Sequence, residues 1–239
     1  MSPRQYASLP QNSESDIMAE CAAVLQRKRA TLFFKRAADV SIALVLTLLL
    51  LPWLALLALV IVLDSRGGAF FRQERIGRFG RPFRILKFRT MIADNDGCAL
   101  TRNDDDRVTR VGRRIRRLHL DELPQLWNVL RGDMSLIGPR PEVPRFVERY
   151  SADQRAALLV RPGITCRSSI AFADENERYP EGVDPEAFYI SDILPEKCAM
   201  NNRYVLTLSL CEDVKIAAAT VLNTFGKKIE DNHEQNIDC

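Results

Sequence analysis

The chain of 239 residues is poor in the side chains that make zinc sites and disulfide frameworks. It has two histidines, His119 and His233, and six scattered cysteines. None of the cysteines forms a Cys-X-X-Cys pair, and neither histidine is spaced with them as a zinc ligand. Cysteines so placed in a chain this long fit reduced thiols on the cytosolic side of a membrane. Aromatic residues make up only 8%, and no base-reading or base-stacking module can be picked out, so nucleic acid is not an expected partner. The chain also has little excess charge of either sign, with a net charge of +3. The balance is uneven, however. Residues 65–117 hold 15 Lys/Arg against 6 Asp/Glu, whereas residues 171–239 hold 6 against 14. The basic middle suits an anionic partner, and a solvated charged face explains the same run more blandly.

Charge is missing altogether from residues 40–63, "VSIALVLTLLLLPWLALLALVIVL". The run is too long, starts too late and lacks the small-residue cleavage pattern of a signal peptide. As one straight helix it would be about 36 Å long, enough to cross a bilayer. Pro52 sits at its middle, where it removes a hydrogen bond and crowds the preceding turn. Each arm is then about 17 Å, half a bilayer. Basic residues flank both ends: Lys35 and Arg36 before, Arg66, Arg72 and Arg75 after. Basic flanks stay on the cytoplasmic face, and a straight span would export one cluster. A single span and a re-entrant helix broken at Pro52 are both compatible with the length, and the flanks favour the second. Lys35 and Arg36 would then lie among lipid headgroups. Asp39, at the mouth of the run, has Lys35 four residues back as an ion-pair partner.

Beyond the apolar run, "AFFRQERIG" and "RPFRILKF" flank a Gly-containing turn and read as a basic β-hairpin. Residues 93–106 are polar and acidic and read as a loop. Val108, Val111, Ile115 and Leu118 recur at helical spacing, which predicts a basic amphipathic helix. In "LHLDELPQLWNVLRGDMSLIGPRPE", Leu123, Leu126, Trp127 and Leu130 predict a second helix with one buried stripe, ended by Gly132. Pro124 is tolerated only in a first turn, so the helix should start near Asp121 as its N-cap. The N–H groups there would keep Asp121 ionised or hold a phosphate. Plain capping by Asp121, with Glu122 as surface decoration, accounts for the spacing equally well. "GPRPEVP" is stiff and would present Arg140, whose planar fork suits phosphate. "RPGIT" reads as a turn, and residues 194–225 as one or two packed or interfacial helices.

Taken in order, "KRAADV", the apolar run with its proline, "LDSRGGAFFRQERIGRFGRPFRILKFRTM", "TRVGRRIRRLHLDELPQLWNVLRGDMSLIGPRPE" and "RPGIT" strongly resemble the bacterial sugar transferase family, the small monotopic polyprenyl-phosphate phosphoglycosyl transferases. The resemblance covers roughly residues 33–166. It implies a Mg²⁺-dependent enzyme that moves a sugar 1-phosphate from a UDP-sugar to undecaprenyl phosphate, releases UMP and starts exopolysaccharide, capsule, O-antigen or glycoprotein glycan assembly. Asp121 would be the nucleophile and carry the phosphosugar. Glu122 would ligate the metal, and Arg116 and Arg140 would hold phosphates. A carboxylate attacking an anion does need cations around it. The implied location is the cytoplasmic face of the inner membrane, with phospholipids as partners and a homodimer left open. After "RPGIT" the chain departs from the common pattern, with "CRSSIAFADENE", in a region expected near the nucleotide sugar.

The expected fold is α/β, mainly α. It comprises an N-terminal extension (1–32), the re-entrant helix (33–64), a catalytic domain with a β-hairpin and interfacial helices (65–226), and a flexible polar tail (227–239). A membrane-tethered basic scaffold without catalysis is the alternative from another class. An inactive relative is a third, disfavoured because the acidic pair and both arginines are present.

Overall fold

The fold is that of a computed structural model, which describes residues 16–92, 107–180 and 182–234. It is mainly helical. Two helices open it, α1 (Asp16–Arg27) and α2 (Arg29–Asp64). A hairpin follows, β1 (Phe70–Ile76) and β2 (Pro82–Phe88), and then α3 (Arg110–Arg117), a 3₁₀ turn (Leu120–Gln125) and α4 (Leu126–Arg131). Next come β3 (Ser135–Ile137), the short α5 (Pro144–Val147), β4 (Gly163–Thr165) and α6 (Arg167–Ala171). The one-turn α7 (Pro185–Phe188) leads to α8 (Leu194–Thr207) and α9 (Leu210–Glu234). The expected loop at 93–106 lies outside the described residues, as do residues 235–239 of the expected tail, while residues 227–234 continue α9.

The hairpin is antiparallel, as its alternation predicts, with Phe70 opposite Phe88 and Ile76 opposite Pro82. Its two faces divide the labour. Ile85 joins Leu126, Val129, Met134 and Ala43 of α2, while Phe88 joins Ile61 and Ile115. "RPGIT" is not a turn alone: Gly163–Thr165 forms a short parallel strand beside β3. Two glycines make this possible. A Cβ on Gly163 would lie 2.1 Å from the Gly138 nitrogen, so the two backbones touch where any side chain would part them.

Helix α2 carries the apolar run, with Pro52 inside it, and its helical conformation resumes beyond the proline as far as Asp64. It is long and apolar enough to cross a membrane, and only 6% of its most apolar 18-residue window is buried inside the protein. Leu48, Leu49, Trp53 and Leu63 are each more than 60% exposed. Such a surface needs an apolar covering.

The root of α2 is anchored electrostatically. Lys35 was expected at the headgroups, but it is buried. Its ammonium lies 2.7 Å from Asp213 of α9 and 3.8 Å from Asp39. Asp39 also accepts bonds from the Ser135 hydroxyl (2.7 Å) and the Leu136 N–H (3.3 Å), and the Tyr204 hydroxyl donates to Asp213 (2.7 Å). Arg36 donates to the carbonyl of Leu130 in the last turn of α4 and to that of Met134 just before β3. Desolvation explains the difference: a lysine between two buried carboxylates is held more strongly than one at an open surface. Lys35→Met would strand both carboxylates and should cost roughly 3–5 kcal/mol in a urea titration. Adding Asp213→Asn should recover part of that loss.

Helix α1 lies within the stretch expected to be an extension, yet it belongs to the core. Cys21 and Leu25 pack with Ala156, Leu159, Val205 and Leu208. The four described cysteines, Cys21, Cys166, Cys198 and Cys211, are all free.

Candidate active site

Three local devices assemble the site. The first is the junction between α3 and the 3₁₀ turn. The Thr109 side chain caps α3 by accepting from Gly112 N–H, and the Thr109 N–H donates to Thr90 O at the end of the hairpin. Val111 and Ile115 face the core and Leu118 does not, so the predicted amphipathic helix is real but only two turns long. His119 then adopts a left-handed conformation (φ 52°), unusual for a residue other than glycine. It turns the chain straight into the 3₁₀ segment that carries Asp121 and Glu122. Asp121 is therefore not the N-cap expected from the sequence; His119 holds that position, without a side-chain cap bond. Pro124 suits a tight turn that has few N–H groups to satisfy, and α4 begins only at Leu126. That shift in start also overturns the buried stripe. Leu126 and Val129 are buried, but Trp127 is 55% exposed. Gly132 ends α4 in a left-handed conformation, as expected.

The second device is Asn128. Its amide donates to Arg84 O (2.8 Å) and accepts from Leu86 N–H (3.0 Å), locking α4 to β2. Phe83, Ile85 and Lys87 share a strand face, so this lock aims Lys87 at the 3₁₀ turn. Its ammonium lies 2.7 Å from Glu122 Oε1.

The third device fixes the Pro-Arg-Pro loop. Gly138 N–H donates to Thr165 O and Gly163 N–H to Pro139 O, so β3 and β4 grip its near end. Glu142 grips the far end. It accepts from Arg75 (3.2 Å), from Val143 N–H and from the Tyr189 hydroxyl (2.6 Å), while Arg75 also donates to Pro141 O. Arg140 between them places Nη2 at 2.9 Å from the same Glu122 oxygen.

Electrostatics separate the two acids. Burial raises the Asp121 carboxyl, and it outweighs the opposing pull of Lys87 and Arg116. Burial acts on Glu122 too, but Arg140 and Lys87 overcome it and hold that carboxyl far below the usual range. Glu122 is a firmly ionised anion in a cationic grip. Its neighbour is a half-buried carboxylate with no direct ion pair among the described residues, and incompletely stabilised carboxylates are the more reactive ones. Arg116 donates through Nε to the Thr90 hydroxyl (2.7 Å), which holds the arginine beside Asp121.

The structure thus brings together Asp121, Glu122, Arg116 and Arg140, four of the residues picked from the sequence. Lys35, Arg36 and Pro52 belong to α2 instead. Lys87 was missed, although the alternation of Phe83 and Ile85 placed it on the inward face. Glu142 and Arg75 were missed because their partners are 67 residues apart. Glu122, the neighbour of Asp121, opens on a cleft of about 210 Å³. Glu122, Arg140 and His119 line it on one side, and Ser168 of α6, Phe172 just after that helix and Lys197 of α8 supply the rest of the wall.

The family model described as bacterial sugar transferase matches residues 30–227. The chain belongs to that family. A UDP-glucose:undecaprenyl-phosphate glucose-1-phosphate transferase of Caulobacter vibrioides is 43% identical over 192 residues, 78% of this chain and 68% of that protein. An undecaprenyl-phosphate glucose phosphotransferase of Komagataeibacter xylinus is 40% identical over 214 residues, 83% of this chain and 37% of that protein. A UDP-N-acetylgalactosamine-undecaprenyl-phosphate N-acetylgalactosaminephosphotransferase of Aeromonas hydrophila is 44% identical over 138 residues, 56% of this chain and 33% of that protein. The chain thus spans about two thirds of the first of these sugar transferases and well under half of the other two. Relatives at nearly equal identity are named for different sugars, so overall similarity does not select one.

Proposed function

We propose that this member of the family transfers a sugar 1-phosphate from a UDP-sugar to undecaprenyl phosphate by way of a phosphosugar carried on Asp121. An Asp121 oxygen attacks the β-phosphorus of the donor. The bond from that phosphorus to the bridging oxygen breaks, and UMP leaves with the electron pair. An oxygen of undecaprenyl phosphate then attacks the same phosphorus and releases the aspartate. The product is a lipid-linked sugar diphosphate. One observation carries this reading: Glu122 is paired directly to Lys87 and Arg140, while Asp121 beside it feels the charges of Lys87 and Arg116 and, among the described residues, has no direct ion pair. Cations that are fixed before the reaction stabilise charge as it develops on the phosphoryl oxygens.

Among the described residues no three His, Cys, Asp or Glu side chains form a ready cation cage. Mg²⁺ does not need one, since it binds through one or two carboxylates, phosphate oxygens and water. The adjacent acids fit that donor set, with Glu122 as the residue that would hold the ion beside the donor's phosphates. When bound, Mg²⁺ supplies positive charge to those phosphates.

Helix α2 is the membrane element in this proposal, bent at Pro52 so that both ends stay on the cytoplasmic face. Both arms pack against the same soluble part, which supports a bend: Ala43 lies in the cluster of Ile85, Leu126 and Met134, and Ile61 in that of Phe88 and Ile115. Arg89 also donates to Ser65 O and Ile61 O, tying the far end of α2 to the hairpin. Single cysteines placed at residues 31 and 66 in a cysteine-free background should react with an impermeant thiol reagent from the same side of the membrane. Labelling from opposite sides would mean a straight span.

The activity is tested with membranes carrying the protein, Mg²⁺, undecaprenyl phosphate and a panel of UDP-sugars. UMP release from at least one of them is the expected result. The scaffold alternative predicts lipid binding and no UMP from any donor.

A further inference from the structure

The wall of the cleft on which Glu122 opens carries a second charged pair. Lys197 of α8 places its ammonium 2.5 Å from Glu175 Oε2. Both side chains are largely buried and both line the cleft that holds Glu122 and Arg140. The ammonium is framed by two rings, 4.8 Å from the centre of Tyr189 and 5.3 Å from that of Phe172. Arg178 stacks on Phe172 as well, at 4.1 Å. A lysine normally keeps several rotamers. This one is confined by ion pair and rings together, and its position is part of the built wall.

The charge of the wall indicates what it can take. The Glu122 end presents Arg140 to the cleft, with Lys87 on the same carboxylate and Arg116 near Asp121 behind it, which suits an incoming phosphate. The Lys197 end is neutral as a pair. Next to it along the cleft stand the hydroxyls of Ser168 and Ser169, and Ser168 donates to Asn201. A second phosphate would gain little there, because Glu175 already cancels the nearest cation. A neutral group rich in hydroxyls would gain more. A carboxylate side by side with an ammonium offers one strong acceptor and one strong donor, a match for neighbouring hydroxyls on a pyranose ring.

We propose that Glu175 and Lys197 bind the hexose of the donor and read the configuration of its hydroxyls. This rests on the transferase reading above and assigns the sugar end of its substrate. A site built to bond a hydroxyl discriminates strongly against an analogue that lacks it or misplaces it, because the buried polar groups are then left unpaired. Lys197 also ties two structural layers together. Its partner on one side is Glu175. On the other side Tyr189 leads, through its hydroxyl, to Glu142 and the Pro-Arg-Pro loop. A purely structural role for the lysine must therefore be separated from a binding role.

The experiment measures UMP release by the full-length protein with undecaprenyl phosphate and Mg²⁺. The donors are UDP-hexoses that differ in one hydroxyl or in an acetamido group at C2. Inhibition by UMP, which has no sugar, is measured alongside. Glu175→Gln keeps size and packing, Lys197→Met removes the ammonium, and Lys197→Arg restores a cation. The expected result is a rise of at least tenfold in KM for the preferred donor in Glu175→Gln and Lys197→Met. Preference between donors should shrink by a similar factor, with UMP inhibition unchanged within twofold and partial recovery in Lys197→Arg. Equal changes for every donor and for UMP would overturn the proposal, since they mark a structural or nucleotide contact. Unchanged KM values would overturn it too. Absence of UMP release from every donor in the unmodified protein is a separate failure, which removes the transferase reading and this inference with it.

Discussion

Asp121→Asn should lower UMP release by about 10⁴-fold or more, the scale seen when an enzyme loses its nucleophile, and should at the same time melt at a higher temperature than the unmodified protein. The two effects have one origin. Burial raises the Asp121 carboxyl above its ordinary value, so the ionised side chain is less comfortable in the folded protein than in the unfolded chain. The sign follows from linkage. Below the unfolded carboxyl range of about 4 the group is protonated in both states and costs nothing. Above its raised folded value it is ionised in both states, and the full penalty applies at neutral pH. Asparagine has nearly the same shape and no charge, so it removes that penalty together with the nucleophile. The same shift sets the acid side of the pH profile. Asp121 attacks as an anion, so kcat/KM should fall, as pH drops, at a pH above the normal aspartate range. Thermal melts and UMP release measured on one preparation check all three outcomes. Full turnover in the variant would falsify the nucleophile assignment, whereas a lower melting temperature would contradict only the burial account.

Local chemistry in the sequence anticipated the elements whose cause lies within a few residues. The hairpin could be read from Phe83 and Ile85 alternating between Gly and Pro punctuation, and the end of α4 from Gly132. The acidic pair and the two arginines were legible because motif order carries them. Partners distant in the chain were not. Lys35 looked like a surface cation because Asp213, which neutralises it, lies 178 residues away on α9. Asp121 looked like an N-cap because nothing local announces that His119 will take a left-handed turn and move the start of the segment by two residues. Trp127 looked buried because the helical period was drawn from Leu123, which lies in the 3₁₀ turn and not in α4. The helix α1 illustrates the same limit. Its amphipathic face finds a core only once residues 154–159 and α8 are folded against it. In each case the deciding term is burial or pairing across the fold, and short-range pattern contains no information about it.

Arg140→Ala should lower kcat by roughly 10²–10³-fold, the scale of one preorganised charge lost from a transition state. Arg140→Lys should recover only a minor part. The geometry explains why charge alone is not enough. Arg140 uses Nη2 for Glu122, which leaves the rest of its planar fork to meet a phosphoryl oxygen. A lysine in its place has a single point of charge, and Glu122 would claim it. The loop around Arg140 adds to the effect. Its carbonyl and N–H groups are fixed by Gly163, Thr165 and Arg75, so the shorter reach of a lysine cannot be offset by movement of the backbone. Stability should respond differently from rate. Lys87 still pairs with Glu122 when Arg140 is gone, so that carboxylate remains ionised at neutral pH and the fold loses little. Rate and melting temperature are therefore expected to separate: a large loss in UMP release with a small change in the melt. If lysine restored full activity, position 140 would be acting through net charge. If alanine left the rate unchanged, the proposed phosphate contact would be wrong, and the pairing of Arg140 with Glu122 would have to be structural alone.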